Sequence, residues 1–327
     1  MTADFLKDKT ILITGGTGSF GWSFISYLLH NSAAKKIIVF SRDELKQSRM
    51  QTALNNDGRL RFFIGDVRSL RRLHRAFYGV DIVVHAAALK QVPTIEYNPF
   101  EAVETNILGS QNVIDAAIDQ GVEKVLLIST DKAAQPANLY GSTKLCAEKL
   151  FINGNSYAGD KTKFSCVRYG NVIGSRGSVV EKLFREPCVP ITDAQMTRFW
   201  ISLEQSFKLV LFALENMEKG EIFIPKIPSM KLIDLFEAIQ PGVKRQTIGA
   251  LPGEKIHEVL ISVEEARHTL ELADCFVILS ECYQSPPENY GEYLKQGKRL
   301  PAGFCYASDT NTDWLTKERL SAMINKL

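Results

Sequence analysis

Thr10-Ile11-Leu12-Ile13-Thr14-Gly15-Gly16-Thr17-Gly18-Ser19-Phe20-Gly21 decides the fold. Three aliphatic residues between threonines read as a buried strand. Glycines at 15, 18 and 21 follow at once, and a helical pattern over 20–29 opens behind them. Strand, glycine loop and helix in that order make a phosphate cradle. Gly15 permits the tight turn, Gly18 lets a pyrophosphate approach the backbone, and Gly21 lets the helix close on the sheet. The free N–H groups and the positive helix end face the phosphates, with Thr17, Ser19 and Phe20 in the same loop and first turn. The motif points to a dinucleotide.

Outward from this loop the pattern repeats. Continuous apolar runs over 36–40, 61–65, 81–86 and 124–129 read as further strands, with helical stretches over 69–77 and 99–119. Runs without polar alternation suit parallel strands covered on both faces. The alternation predicts an α/β fold, a Rossmann-like doubly wound parallel sheet. A helix over 140–157 and a strand over 164–171 follow, and then prolines at 187, 190, 225, 228, 241 and 252 change the rhythm. We expect a dinucleotide-binding domain over 1–173 and mainly a smaller C-terminal substrate-binding lobe over 174–327, with helix 204–217 returning to the first domain. The stretch 285–303 reads as a loop.

Composition narrows the function. The 327 residues are 45% hydrophobic and 23% charged, with 39 basic and 37 acidic side chains giving +2. That balance excludes a main task of neutralising nucleic-acid phosphate or lying on an anionic membrane. No apolar run reaches the ~18–20 residues of a membrane span, and the first ten residues lack the apolar core of a secretory signal. The six cysteines form no CxxC pair, and no HxH or HExxH suggests a metal. A cytoplasmic protein with reduced thiols is expected, and His85 on a buried strand reads as a packed histidine.

The residues beside the strand ends carry the chemistry. Ser41 and Arg42 end the second strand and Lys46 follows a turn later, where an acidic residue would favour NAD; a hydroxyl and two cations suit the 2′-phosphate of NADP. Asp66 and Val67 are placed for the adenine, and Ala86 and Ala87 are small enough for close approach. Thr130-Asp131-Lys132 lies at the carboxyl end of the fifth strand, where ligands bind in open α/β sheets. Tyr140 and Lys144 follow at a spacing that puts both on one helix face. A phenol with a reference pKa near ~10 is a poor base, and a neighbouring ammonium together with a nicotinamide favours its phenolate.

This combination resembles the extended short-chain dehydrogenase/reductase family. The segments 14–21, 41–46, 128–134, 140–145, 168–180 and 196–201, with 223–230 and 252–255, are similar to the inverting UDP-N-acetylglucosamine 4,6-dehydratases of pseudaminic acid synthesis for flagellin glycosylation. The resemblance implies that Tyr140 takes the sugar O4 proton, Lys132 the C5 proton, and that Asp131 protonates the leaving C6 hydroxyl, with Thr130 bonding O4. It implies that Lys144 holds the nicotinamide ribose. Lys90 would meet cofactor or substrate, with a solvated loop lysine as the alternative. Asn171, Ser178, Val179, Thr192, Arg198 and Glu254 would meet the UDP-sugar. The chain departs from the family where Leu251 replaces an expected arginine, with Arg245 or Lys255 as substitutes. A second departure is the shortened 180–190 segment with Glu181 in place of proline. A homo-oligomer paired through 99–119 and 140–157 is expected. The alternatives are a capsule or O-antigen dehydratase/5-epimerase, a plain 4-epimerase, and a non-catalytic NADP-binding sensor.

Overall fold

The computed structural model describes residues 4–175, 180–181, 188–242, 244–249, 251–280 and 292–325. Its first six strands are β1 (Thr10–Thr14), β2 (Lys36–Ser41), β3 (Leu60–Ile64), β4 (Ile82–His85), β5 (Lys124–Ile128) and β6 (Lys163–Val167). The helices among them are α1 (Ser19–Asn31), α2 (Glu44–Ala53), α3 (Leu70–Phe77), α4 (Val92–Tyr97), α5 (Pro99–Ala102), α6 (Gly109–Gln120) and α7 (Leu139–Ala158). Next come the short β7 (Asn171–Val172), β8 (Cys188–Ile191), β9 (Thr197–Ile201), α8 (Leu203–Asn216), β10 (Ile222–Pro225), β11 (Ser229–Lys231), α9 (Leu232–Ile239) and β12 (Lys244–Thr247). The last are β13 (Val259–Ile261), α10 (Val263–Ala266), β14 (Thr269–Glu271), β15 (Cys275–Ile278), β16 (Lys298–Arg299), β17 (Tyr306–Ala307) and α11 (Lys317–Ile324).

The main sheet has the order β16-β14-β15-β10-β6-β5-β4-β1-β2-β3. From β3 to β10 all neighbours are parallel; β15, β14 and β16 extend that edge antiparallel. β1 is buried along its whole length, as continuous apolar runs require of a sheet covered on both faces. The chain reverses its direction of strand addition between β1 and β4. Register aligns Thr14 with Phe40 on one side and His85 on the other, so the strand ends share one rim. The glycine loop springs from that switch point.

Three expectations need correction. The helix expected over 99–119 is interrupted: Val103–Leu108 is a π-helical turn between α5 and α6. The strand expected over 164–171 breaks after Val167, and β7 pairs instead with β9 in a separate small sheet. A side chain at Gly170 would meet Phe199 Cβ at 2.5 Å, so the chain crosses β9 too closely there to continue β6. The described part of 285–303 holds a short 3-10 turn, Glu292–Gln296, and β16.

The second half of the chain serves two cores. β10, β14, β15 and β16 lengthen the main sheet, and α8 packs on α1, β5 and β6. A distinct small core is made by Ile173, Val180, Ile191, Trp200, Met230, Leu235, Phe236, Leu315 and Leu320. The residues between these two bodies, in β9 and the loop before β13, face the end of β5.

Candidate active site

The glycine loop is tightly drawn. Gly15 has φ +66°, and a Cβ there would lie 2.9 Å from the Ala87 backbone. A Cβ at Gly21 would lie 2.6 Å from Gly16 Cα, so α1 closes on its own loop. α1 begins after Gly18 without a side-chain cap, and Gly18 is exposed. Uncapped N–H groups beside closely packed glycine backbone fit a diphosphate. Thr17 is buried, while Ser19 and Phe20 are half-buried, Phe20 stacking on Phe24 at 5.3 Å.

Ser41 is buried, its Oγ accepting from Gln47 Nε2 at 3.0 Å. Arg42 is exposed and reaches Asp66 at 3.5 Å. Lys46 pairs with Asp43 at 3.0 Å, and Asp43 caps α2. Burial works to raise the Asp66 carboxyl, and hydrogen bonds from Arg68 outweigh it, leaving it below its usual range. Val67 is buried against Gly109. Ala86 and Ala87 are half-buried, and Ala87 N donates to Thr14 Oγ1 at 3.3 Å. Lys90 is exposed on the loop after β4. Asn106, in the π turn, clamps that loop: it accepts from Leu89 N at 2.8 Å and donates to Leu89 O at 2.9 Å and to Thr143 Oγ1 at 3.0 Å.

Thr130-Asp131-Lys132 turns sharply at the end of β5. Thr130 Oγ1 donates to Asp131 Oδ1 at 2.9 Å, and Lys132 Nζ lies 3.1 Å from the same oxygen. Asp131 is fully buried, and among the described residues its Oδ2 has no hydrogen-bond partner. α7 lies directly over the turn. A Cβ at Gly141 would fall 2.2 Å from Lys132 O, so glycine lets the helix approach. Burial pushes the Tyr140 phenol up to about 12; Lys132 and a hydrogen bond with Thr130 pull it down, and Asp131 raises it. Phenol, carboxyl and amine therefore share one site. Lys144 is buried and donates to Ile128 O at 2.7 Å. Burial lowers its amine to about 8 against the pull of Glu148 and Cys166. Lys132 is thus a cation that lowers the Tyr140 phenol, while Lys144, on the same helix as Tyr140, is turned to the Ile128 carbonyl.

The loop before β13 completes the site, and sequence reading missed its main contribution. Glu258, 3% exposed, places Oε1 at 3.0 Å from Lys132 Nζ. Arg198 Nε lies 3.7 Å from Oε1, and Lys255 Nζ lies 3.7 Å from Oε2. Burial works against the Lys132 charge, but Asp131 and Glu258 more than reverse it and hold the ammonium above its usual range. Burial raises Asp131. Burial also works to raise Glu258, and Lys132, Arg198 and Lys255 override it, keeping Glu258 below the usual range. The Lys132 ammonium is thus held charged between two carboxyl groups.

The remaining expected substrate residues are spread around this cluster. The Arg198 guanidinium is buried and donates to Thr197 O at 2.7 Å and Ile256 O at 3.0 Å. Lys255 donates to Ala134 O at 2.7 Å, beside the triplet. Glu254 is exposed and its carboxylate accepts from Leu251 N at 3.3 Å. Thr192 Oγ1 lies 3.0 Å from Met196 Sδ, and Asn171 is half-buried opposite Trp200. Ser178, Val179 and the Arg245 side chain lie outside the described residues. Asn138, a cap signal in the sequence, accepts from Gly141 N at 2.8 Å to cap α7 and donates to Gly253 O at 2.8 Å, tying the loop to that helix. Glu258 had no such signal, since it belongs to no motif.

Strand order, glycine loop and Tyr-Lys helix define a Rossmann fold of the extended short-chain dehydrogenase/reductase type. Within it, the chain belongs to the polysaccharide biosynthesis protein family, whose model matches residues 11–280. It is 49% identical over 326 residues to a UDP-N-acetylglucosamine 4,6-dehydratase (inverting) of Campylobacter jejuni, covering 97% of each chain. It is 41% identical over 332 residues to a UDP-glucose 4-epimerase of Rickettsia felis, covering 98% of this chain and 96% of the relative. The structure of Pen from Bacillus thuringiensis matches with a TM-score of 0.88 at 40% identity, covering 98% of both chains. DesIV from Streptomyces venezuelae, a dTDP-glucose 4,6-dehydratase with NAD bound, shares the fold at a TM-score of 0.69 and 22% identity, over 76% of this chain and 86% of its own. No helix among the described residues is long and apolar enough to cross a membrane.

Proposed function

We propose that this protein is a nucleotide-sugar dehydratase, an NADP-dependent hydro-lyase that removes water across C5 and C6 of UDP-N-acetylglucosamine and inverts C5. The observation that carries the reading is the meeting of Tyr140, Asp131 and Lys132 at the end of β5, where the phenol feels the charges of both other groups. A 4-epimerase requires the phenol but has no use for an acid–amine pair beside it. The likeness to the Campylobacter dehydratase supports the same choice against the epimerase relative. What a bound nicotinamide dinucleotide supplies is a reversible hydride acceptor, and Gly15, Thr17, Gly18, Ser19, Phe20, Gly21, Ala86, Ala87 and Lys144 would hold it. Ser41, Arg42 and Lys46 support NADP, with Asp66 and Val67 at the adenine.

The protein's own groups account for the protons. Tyr140 takes the O4 proton, with Thr130 hydrogen-bonded beside it. Once C4 is a ketone, the C5 proton is acidified and a positioned base removes it. Lys132 becomes that base by passing one proton across the 3.1 Å to Asp131 Oδ1. The same transfer makes Asp131 the acid for the departing C6 hydroxyl, so one shared proton prepares both roles. With the hydride returned to C6, reprotonation of C5 from the opposite face would give the L-arabino 4-keto-6-deoxy sugar. Lys90, Asn171, Ser178, Val179, Thr192, Arg198 and Glu254 are the proposed contacts to the UDP-sugar. The proposal includes a cytoplasmic homo-oligomer opening pseudaminic acid synthesis for flagellin glycosylation, and for that pathway the support is sequence likeness alone.

The test is incubation with UDP-N-acetylglucosamine in deuterated water, with NADP and NAD in parallel. The expected product is a 4-keto-6-deoxy sugar with deuterium at an inverted C5, formed faster with NADP. A C4 epimer or no turnover overturns the reading. A Lys132→Ala protein that dehydrates at the wild-type rate overturns the base assignment.

A further inference from the structure

We propose that Glu258 is a positioning residue of this site: it anchors the Lys132 ammonium beside Asp131 and sets the pH range in which the Asp131–Lys132 pair holds one proton. The inference rests on the dehydratase reading.

Glu258 is held rigidly. Its N donates to Ser308 Oγ at 2.9 Å, and its O accepts from Ser308 N at 2.8 Å. Ser308 Oγ in turn lies 2.6 Å from Thr197 Oγ1, and Thr197 Oγ1 lies 2.9 Å from His257 Nδ1. A carboxylate 3% exposed and backed this firmly is a fixed charge. It faces Lys132 and Asp131 from the turn after β5, Arg198 from β9, and Lys255 from its own loop. The Lys132 ammonium thus lies between two carboxyl groups, at 3.1 Å and 3.0 Å.

The productive state of the pair has one proton for two sites, as neutral amine with carboxylic acid or as ammonium with carboxylate. Coupled groups of this kind titrate as a unit, with one macroscopic step on either side of that state. A fixed negative charge nearby favours the protonated form of both members and moves both steps to higher pH. Removing it moves both steps to lower pH and leaves three cations, Lys132, Arg198 and Lys255, around Asp131 alone.

The test compares pH–rate profiles of the wild type with Glu258→Gln and Glu258→Asp, each with NADP and UDP-N-acetylglucosamine, alongside thermal melting. Glu258→Gln keeps the shape and loses the charge. Both limbs of its profile are expected about one pH unit lower, with maximal kcat reduced about tenfold and KM changed less than threefold. Glu258→Asp keeps the charge and is expected to lose kcat with both limbs unmoved. A Glu258→Gln profile with unshifted limbs overturns the inference, as does a shifted Glu258→Asp profile. If Glu258→Gln does not fold, the Glu258→Asp profile decides alone. A wild type that produces no dehydrated sugar defeats the underlying reading and is a separate result.

Discussion

Tyr140 is unfit for its proposed task in isolation. Burial lifts its phenol to about 12, and the groups that oppose this are Lys132 and Thr130. Lys144, which the helical spacing singled out, is turned toward the Ile128 carbonyl. A buried amine brought down to about 8 is still mostly protonated at neutral pH, and here it donates to the end of β5. The phenol oxygen, by contrast, bonds to Thr130, and among the described residues no other hydrogen bond holds it. Tyr140→Phe is therefore expected to reduce turnover by about 10²–10⁴-fold, the usual contribution of a positioned acid–base group. Its melting temperature should stay within about 2 °C of the wild type. Retention of more than a tenth of wild-type turnover would remove Tyr140 from the proton chemistry.

At the scale of elements, the site depends on how closely α7 settles on the turn after β5. Gly141 has no room for a methyl group, because backbone carbonyl Lys132 O occupies that place. Gly141→Ala must push the helix or the turn aside, at an expected cost of about 1–3 kcal/mol. Turnover should fall more than tenfold, because Tyr140 and Lys132 lie on the two elements that separate. Normal turnover in a stable Gly141→Ala protein would show that their spacing is not critical. The same closeness explains what the sequence revealed and what it hid. Parallel strands and the glycine loop were legible because apolar runs and glycine spacing are local signals. The Tyr140 and Lys132 neighbourhood was legible because both follow the same strand. The π turn over Val103–Leu108 was not, since its purpose is to swing Asn106 onto Leu89 and Thr143, and those partners lie on other elements. Glu258 was hidden for the same reason. Its meaning comes from Lys132, Arg198 and Lys255, which only the folded chain brings to it.

Across the whole molecule, buried ionisable groups join the two halves and make the fold sensitive to acid. Arg168, fully buried, bridges Glu148 of α7 at 2.6 Å and Glu265 of α10 at 2.8 Å, and donates to Leu260 O at 2.9 Å. Burial works to raise the Glu265 carboxyl, and Arg168 overrides it, so the group sits below its ordinary 4.5. Its contribution to stability is complete above about 4.5 and is lost as pH falls through the lower native value. His85, in the middle of the main sheet, acts earlier. Burial, aided by Lys144, lowers its imidazole to about 3, so the folded protein keeps it neutral between Thr14 Oγ1 at 2.7 Å and Ser110 Oγ at 3.3 Å. An unfolded chain takes up that proton near ~6.5, so stability is complete above 6.5 and declines as pH falls toward 3. At 1.36 kcal/mol per unit, the loss between pH 6.5 and 5 is about 2 kcal/mol from this residue alone. Denaturant unfolding at pH 7.5, 6.5, 5.5 and 5 should show that decline. His85→Gln, which keeps hydrogen-bonding capacity without a titrating ring, should be less stable at pH 7.5 and clearly flatter across the same range. An equally steep decline in His85→Gln would place the acid sensitivity elsewhere and leave His85 as packing only.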